Sequence, residues 1–120
     1  MEAIGDADAL YRRLAPSQVN PDGSVNSAAY KRRGLPDPSI SVDLARLTTP
    51  ERALAGFAER GFGLGVLTAG AVRALGLSVH HDPLPASRAH AVIEGANDRV
   101  KCRLLAEATA ILIPVRLPDR

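Results

Sequence analysis

Polar and apolar residues alternate most cleanly over Ser39-Ile40-Ser41-Val42-Asp43-Leu44, which predicts a half-exposed strand with Ile40, Val42 and Leu44 turned inward. Ala9 to Leu14 alternates too, Leu10, Arg12 and Leu14 against Tyr11 and Arg13. A helical stripe through Ile4, Ala7, Tyr11 and Leu14 competes, but it starts in a glycine-containing tail, and Pro16 ends the segment, so a strand is preferred. Gly63-Leu64-Gly65-Val66-Leu67 is a short apolar run bounded by turn-formers, as a buried strand would be. Thr68 caps a short helix over Ala69 to Leu75, and Gly76 stands where a left-handed C-terminal residue belongs. Leu77 to His81 resumes a strand, with Leu77, Val79 and His81 on one face and Ser78, His80 and Asp82 on the other. The prolines of Asp82-Pro83-Leu84-Pro85 break it, because neither can donate to a ladder. His90 to Glu94 is the next strand, with His90, Val92 and Glu94 facing away from Ala91 and Ile93. These two strands suit a hairpin-like pair that brings His80 or His81 near His90, according to register.

Helical signals lie elsewhere. Thr49-Pro50-Glu51 supplies a cap, a proline at the first helical position and a carboxylate in the first turn. The helix it opens is expected to bury Leu54, Phe57 and Ala58 and to stop at Gly61. Asn97 or Asp98 caps a last helix with an apolar stripe of Val100, Leu104, Leu105, Ala108 and Ile111. Pro114 ends it, with room for a short strand over 111–113. Asn20-Pro21-Asp22-Gly23 is a turn, Ser24 to Tyr30 admits either a short helix or an extended segment, and Gly34 to Pro38 reads as loop. The sum is an α+β protein: a small mixed β-sheet with two or three helices in one compact domain over residues 9–113. Residues 1–8 are expected to be a loose lead-in and 114–120 a tail.

Composition narrows the classes. At 120 residues the chain has room for one domain and an aliphatic core, its only aromatics being Tyr11, Tyr30, Phe57 and Phe62. The net charge is +2 and acid and base are interleaved, which argues against a dedicated polyanion-binding surface despite a pI near 9.1. Arginine far outnumbers lysine and alanine is abundant, a bias suggesting a high-GC bacterial genome. The single Cys102 excludes an internal disulfide and fits a reducing compartment. The N-terminus lacks a basic region and a long apolar run, and no apolar stretch is long enough to span a bilayer. A cytoplasmic protein without a membrane role is expected.

Candidate chemistry is sparse. His80, His81, Asp82 and His90 put three imidazoles and a carboxylate within eleven residues. Adjacent histidines on a strand point to opposite faces, so no metal site is assigned. His81 and Asp82 remain candidates for ligand contact, against the blander reading of a turn-bonded His90 with one of the pair solvated. A polar pocket of Arg12 or Arg13, Ser27, Tyr30 and His90 would suit a phosphate or nucleotide, because guanidinium presents a planar fork of donors. Within it Arg12, Arg13, Tyr30 and His90 are the catalytic candidates and Ser27 a binding one. The blander reading is an arginine guarding a strand edge. Lys31-Arg32-Arg33 beside Tyr30 would suit a nucleic-acid backbone with the ring stacked on a base, though a single basic triplet is usually a solvated loop. Gly61-Phe62-Gly63-Leu64-Gly65 is not a phosphate loop, since its glycines enter a strand; close packing or a bulge explains them better. Cys102, flanked by Lys101 and Arg103, reads as a core or semi-buried thiol ahead of a nucleophile. No cofactor motif is found.

Several segments together resemble a family of short bacterial proteins with no established activity. They are Leu10-Tyr11-Arg12-Arg13, Ser27-Ala28-Ala29-Tyr30, Ser41-Val42-Asp43-Leu44-Ala45, Thr48-Thr49-Pro50-Glu51, Thr68-Ala69-Gly70, and Asp82-Pro83-Leu84-Pro85 with His90-Ala91. The chain departs from that family at Ser87-Arg88-Ala89, where Asn-Pro often precedes the His-Ala pair. The resemblance implies a single α+β domain and no function. The Leu-Tyr-Arg opening followed by a serine-containing segment is also loosely similar to ADP-ribosyltransferases, without an obviously placed catalytic glutamate; Glu94 and Glu107 are the acids to hand. The reading favoured here is a small binding or adaptor module that works with a partner protein. The competing one is an enzyme or toxin-like effector acting on a nucleotide or phosphorylated substrate, which requires Arg12, Arg13, Tyr30 and His90 to converge.

Overall fold

The structure is a computed structural model that describes residues 1–116. Its centre is a six-stranded sheet of β1 (Ala9–Leu14), β4 (Ser39–Leu44), β5 (Gly63–Thr68), β6 (Ser78–His81), β7 (His90–Glu94) and β8 (Ala110–Ile113), in the order β6-β7-β4-β1-β5-β8. A two-stranded hairpin, β2 (Lys31–Arg32) and β3 (Leu35–Pro36), stands apart. The helices are α1 (Pro50–Ala53), α2 (Ala69–Arg73) and α3 (Arg99–Glu107), each with its predicted type of cap: Thr49, Thr68 and Asp98 accept from the third backbone N–H. The architecture is α+β. The expected mixed sheet is corrected in one respect: every neighbouring pair runs antiparallel.

The register sorts side chains onto two faces. Leu10, Leu14, Ile40, Val42, Leu44, Leu67, Val79, Ala91 and Ile93 point to one side and form the main core with Ala29, Tyr30, Ala69, Val72, Cys102, Leu105 and Ala106. The opposite face is apolar only at the β5–β8 end, where Leu64 packs with Ala53, Leu54, Phe57 and Phe62. Towards β4 and β7 it is polar, carrying Ser41, Asp43 and His90.

Four local expectations change. The helix from Pro50 lasts four residues, because Gly56 turns left-handed at φ 83°; a 3-10 turn over Ala58–Arg60 follows, closed by Gly61 at φ 82°. The buried stripe of α3 is Cys102, Leu105 and Ala106, leaving Val100 52% exposed; the thiol, behaving as a small apolar group, rotates the stripe away from the one read from Val100, Leu104 and Ala108. The basic triplet belongs to a hairpin, where Arg33 (φ 55°) and Gly34 (φ 78°) make the two left-handed positions of a tight two-residue turn. Residues 1–8 are not loose. Arg46 binds Glu2 Oε1, Asp8 Oδ1 and the Ala3 carbonyl, Arg73 binds Asp6 and the Ile4 carbonyl, and the Gly70 amide donates to the Asp6 carbonyl. The Arg46 guanidinium, by hydrogen bond and charge, holds the Glu2 carboxyl below the usual carboxylate range. Of the expected C-terminal tail, the Arg116 amide donates to the Gly61 carbonyl, and 117–120 lie outside the described residues.

The glycines of β5 answer to close packing. A Cβ on Gly63 would lie 2.3 Å from the Ile113 carbonyl oxygen, and one on Gly65 would lie 2.5 Å from Thr109 Cγ2. The β5–β8 register shifts between Leu64 and Gly65, so both the bulge and the tight approach are present. Gly63→Ala meets only backbone and is expected to cost about 3 kcal/mol or more. Gly76→Ala, at φ 81° in open space, is expected to cost about 1 kcal/mol, and urea-unfolding midpoints will rank the two.

Tyr30, with no exposed surface, shows how the core handles a polar group. Thr109 Oγ1 gives its proton to the Leu105 carbonyl, so the Tyr30 hydroxyl donates to Thr109 at 2.6 Å. Burial pushes the Tyr30 phenol up, against a smaller downward pull from the charge of Arg12. A raised folded value means that the folded chain keeps this proton when the unfolded chain has lost it. Stability is therefore intact below the ordinary phenol pKa of about 10 and falls as pH rises beyond it. Tyr30→Phe is expected to cost about 1 kcal/mol at pH 7 and to flatten that alkaline slope, as denaturant titrations at several pH values will read.

Candidate functional site

The four catalytic candidates do not converge; the sheet divides them into two pairs. Arg12 and Tyr30 lie on the core side, with the guanidinium 5.7 Å from the ring centroid. The β1–β4 ladder stops after Leu10–Leu44 and Tyr11–Asp43, whereas β1 stays paired with β5 along its whole length. Arg12 fills the fork so formed. Its Nε and Nη2 donate to the Ala29 carbonyl at 3.1 and 2.7 Å, and its Nη1 donates to the Ser41 carbonyl at 2.8 Å. Burial pulls this guanidinium below the usual arginine value, offset in part by Tyr30. Arg12 is committed to backbone carbonyls, and Tyr30 has no surface to offer a substrate or a base.

Arg13 and His90 lie on the other face. Arg13 Nη1 reaches Asp43 Oδ2 at 3.4 Å and the Ala53 carbonyl at 3.2 Å, and its guanidinium lies 4.5 Å from the Phe57 centroid. Asp43, only 5% exposed, is paired in register with both Tyr11 and His90. Arg13, Asp43, Ala53 and Phe57, but not His90, border a cleft of about 440 Å³ whose cationic lining is Arg13, Arg52 and Arg88, with Thr48 and Ser87 between them. Neither Arg52 nor Arg88 has a side-chain partner among the described residues. Glu2 feels the charge of Arg88 but bonds to Arg46. Asp43 neutralises Arg13, so the cleft keeps two arginines, Arg52 and Arg88, with no salt bridge among the described residues.

The three imidazoles separate as well. His81 is buried, its Nδ1 accepting from the Glu2 amide and its Nε2 donating to the Arg88 carbonyl, each at 2.8 Å. That arrangement ties the N-terminus to the β6–β7 loop and leaves no nitrogen free for a ligand. His80 is exposed, with Nε2 3.0 Å from Ser78 Oγ. His90 turns to Asp82 and Ser41. Among the described residues no group of three or more His, Cys, Asp or Glu side chains could hold a metal ion. Ser27 lies away from all of these, in a separate cleft with Asn20, Arg103 and Glu107. Lys31 is half-buried and Arg32 and Arg33 are exposed on the hairpin, but the buried Tyr30 cannot stack on a base beside them. Cys102 lies in the core with its Sγ 3.4 Å from the Tyr30 carbonyl, and burial pushes its thiol up.

Sequence reasoning missed Ser41, Asp43, Arg52 and Arg88. The alternation of β4 put Ser41 and Asp43 on the outward face, which was the available signal. Nothing in the spacing told that residues 48–57 and 86–89 would close over that face.

Because one planar group spans two carbonyls, lysine cannot replace Arg12. Arg12→Lys is expected to cost about 3 kcal/mol in urea unfolding, against less than about 0.5 kcal/mol for Arg52→Lys. No protein-family model matches this chain, and neither a curated protein nor a solved structure matches it.

Proposed function

We propose that the protein is a small binding module whose ligand is an anion, a phosphorylated molecule or a phosphorylated segment of a partner protein, held in the cleft between Arg13, Arg52 and Arg88. The observation that carries this reading is that Arg52 and Arg88, which have no side-chain partner among the described residues, line the same cleft as the Arg13–Asp43 pair. Guanidinium donates to phosphate oxygens as a fork, and the neighbouring hydroxyls of Thr48 and Ser87 add neutral donors. Phe57 supplies an apolar wall and, through its ring, fixes Arg13. The large exposed apolar side chains are Met1, Leu35, Leu84, Val100 and Leu112, and none of them lines this cleft.

Inorganic pyrophosphate is the simplest probe. Titration followed by amide NMR is expected to move the signals of residues 48–53 and 86–89 and to weaken as salt is raised. The double variant Arg52→Ala/Arg88→Ala is expected to weaken binding about 10-fold or more, since each charge-assisted contact contributes about 1.5–3 kcal/mol before solvent screening. Shifts confined to the Lys31–Arg33 hairpin, or binding indifferent to the double variant, would contradict the reading.

A further inference from the structure

The polar face holds a second arrangement, one strand across from Arg13. His90 Nδ1 lies 2.8 Å from the Asp82 carbonyl oxygen and 3.3 Å from Asp82 Oδ2, while its Nε2 lies 3.2 Å from Ser41 Oγ. Both partners of Nδ1 are acceptors only, so Nδ1 carries the proton and, in the neutral ring, Nε2 is the bare nitrogen. That nitrogen faces a serine hydroxyl on an exposed position of the sheet. A hydroxyl, a basic imidazole nitrogen and an acceptor pair fixing the imidazole are the parts of an activated nucleophile. They are supplied here by three separate segments: β4, the start of β7, and the turn after β6.

The supporting structure is rigid. Ser41 belongs to β4, paired with Val92 of β7, and its carbonyl is held from beneath by Arg12. The imidazole of His90 is 12% exposed, reachable yet restrained. Asp43, opposite His90 in the ladder, also lines the arginine cleft, so the relay and the cleft lie on the same side of the sheet. Arg13 lines that cleft too, with Nε and Nη2 unbonded among the described residues.

We propose that Ser41, His90 and Asp82 form a nucleophilic relay that hydrolyses a carboxylic ester bearing a phosphate group. Ser41 Oγ bonds to the acyl carbon as its proton passes to His90 Nε2. The bond from that carbon to the leaving alcohol breaks, and His90 returns the proton to the alcohol. Water then attacks the acyl-serine, giving one proton to Nε2, and the acid leaves as Ser41 recovers its hydrogen. One ester and one water become one acid and one alcohol. His90 is the general base and acid, and Asp82 positions it through its carbonyl and carboxylate. The relay rests on the cleft reading only for the charge of the substrate.

The test uses a neutral fluorophosphonate, which reports a nucleophilic serine without needing the arginines. Ser41 Oγ attacks phosphorus, fluoride leaves, and the adduct is mapped by peptide mass spectrometry. The expected result is one adduct, on Ser41, absent in Ser41→Ala and formed about 100-fold more slowly or worse in His90→Gln. Asp82→Asn, which keeps the carbonyl, should slow it by about 3- to 10-fold, and Ser39→Ala, an exposed serine two positions along, should leave it unchanged. Circular dichroism checks each variant's fold. Should His90→Gln fail to fold, the Asp82→Asn rate and the loss of labelling on acidification carry the same decision, since a protonated imidazole cannot take the serine proton. No adduct, an adduct on another serine, or a rate indifferent to His90 and Asp82 would overturn the relay. Such a result with pyrophosphate binding intact would overturn the relay alone.

Discussion

A single guanidinium fills the fork where β1 and β4 part. Each strand leaves a carbonyl or a neighbouring turn in need of a donor there, and Arg12 supplies three N–H groups in one plane. Its bonds to the Ala29 carbonyl seat the turn that carries Tyr30 into the core. Its bond to the Ser41 carbonyl fixes the strand from beneath, which leaves the side chain of Ser41 free on the far face. A neutral side chain would leave the carbonyl of the buried Ala29 and the Ser41 carbonyl without this donor.

The two sides of the sheet therefore have different tasks. One is filled with aliphatic side chains, the Cys102 thiol and the internally bonded Tyr30–Thr109 pair. The other is closed by α1 and the phenylalanines at one end and left polar at the other. Arg12 and Arg13 are adjacent in sequence and point opposite ways, so one is consumed by the fold and the other is turned to the cleft. Asp43 keeps Arg13 in place, and Arg52 and Arg88 bring charge to the cleft with no salt bridge among the described residues.

Much of this architecture was legible in the sequence. The period of two in residues 39–44, the caps at Thr49, Thr68 and Asp98, and the glycine at 76 each follow from local chemistry, and each has its counterpart in the structure. The site was less legible. Alternation told that Arg12 and Arg13 face opposite ways, yet it could not tell which face would be the core. His80, His81 and His90 looked like one cluster because they are close along the chain, but the β6–β7 register sets His81 against Ala91 and turns it inward. The basic loop from 86 to 89 and the short helix at 50–53 reach the same cleft from distant parts of the chain, and no local period encodes that meeting. Tyr30 drew attention as an aromatic beside basic residues, while its real neighbours, Thr109 and Arg12, are remote in sequence.

Both faces depend on the Arg12 guanidinium being held through three of its N–H groups by two backbone carbonyls. Nitrogen-resolved NMR of the arginine side chains tests it most directly, through the exchange of each Nε–H with water. Arg12 should give a protected Nε–H that exchanges far more slowly than those of Arg52 and Arg88. An Arg12 signal exchanging as fast as theirs would mean that the fork is open, and the account of both faces would fail with it.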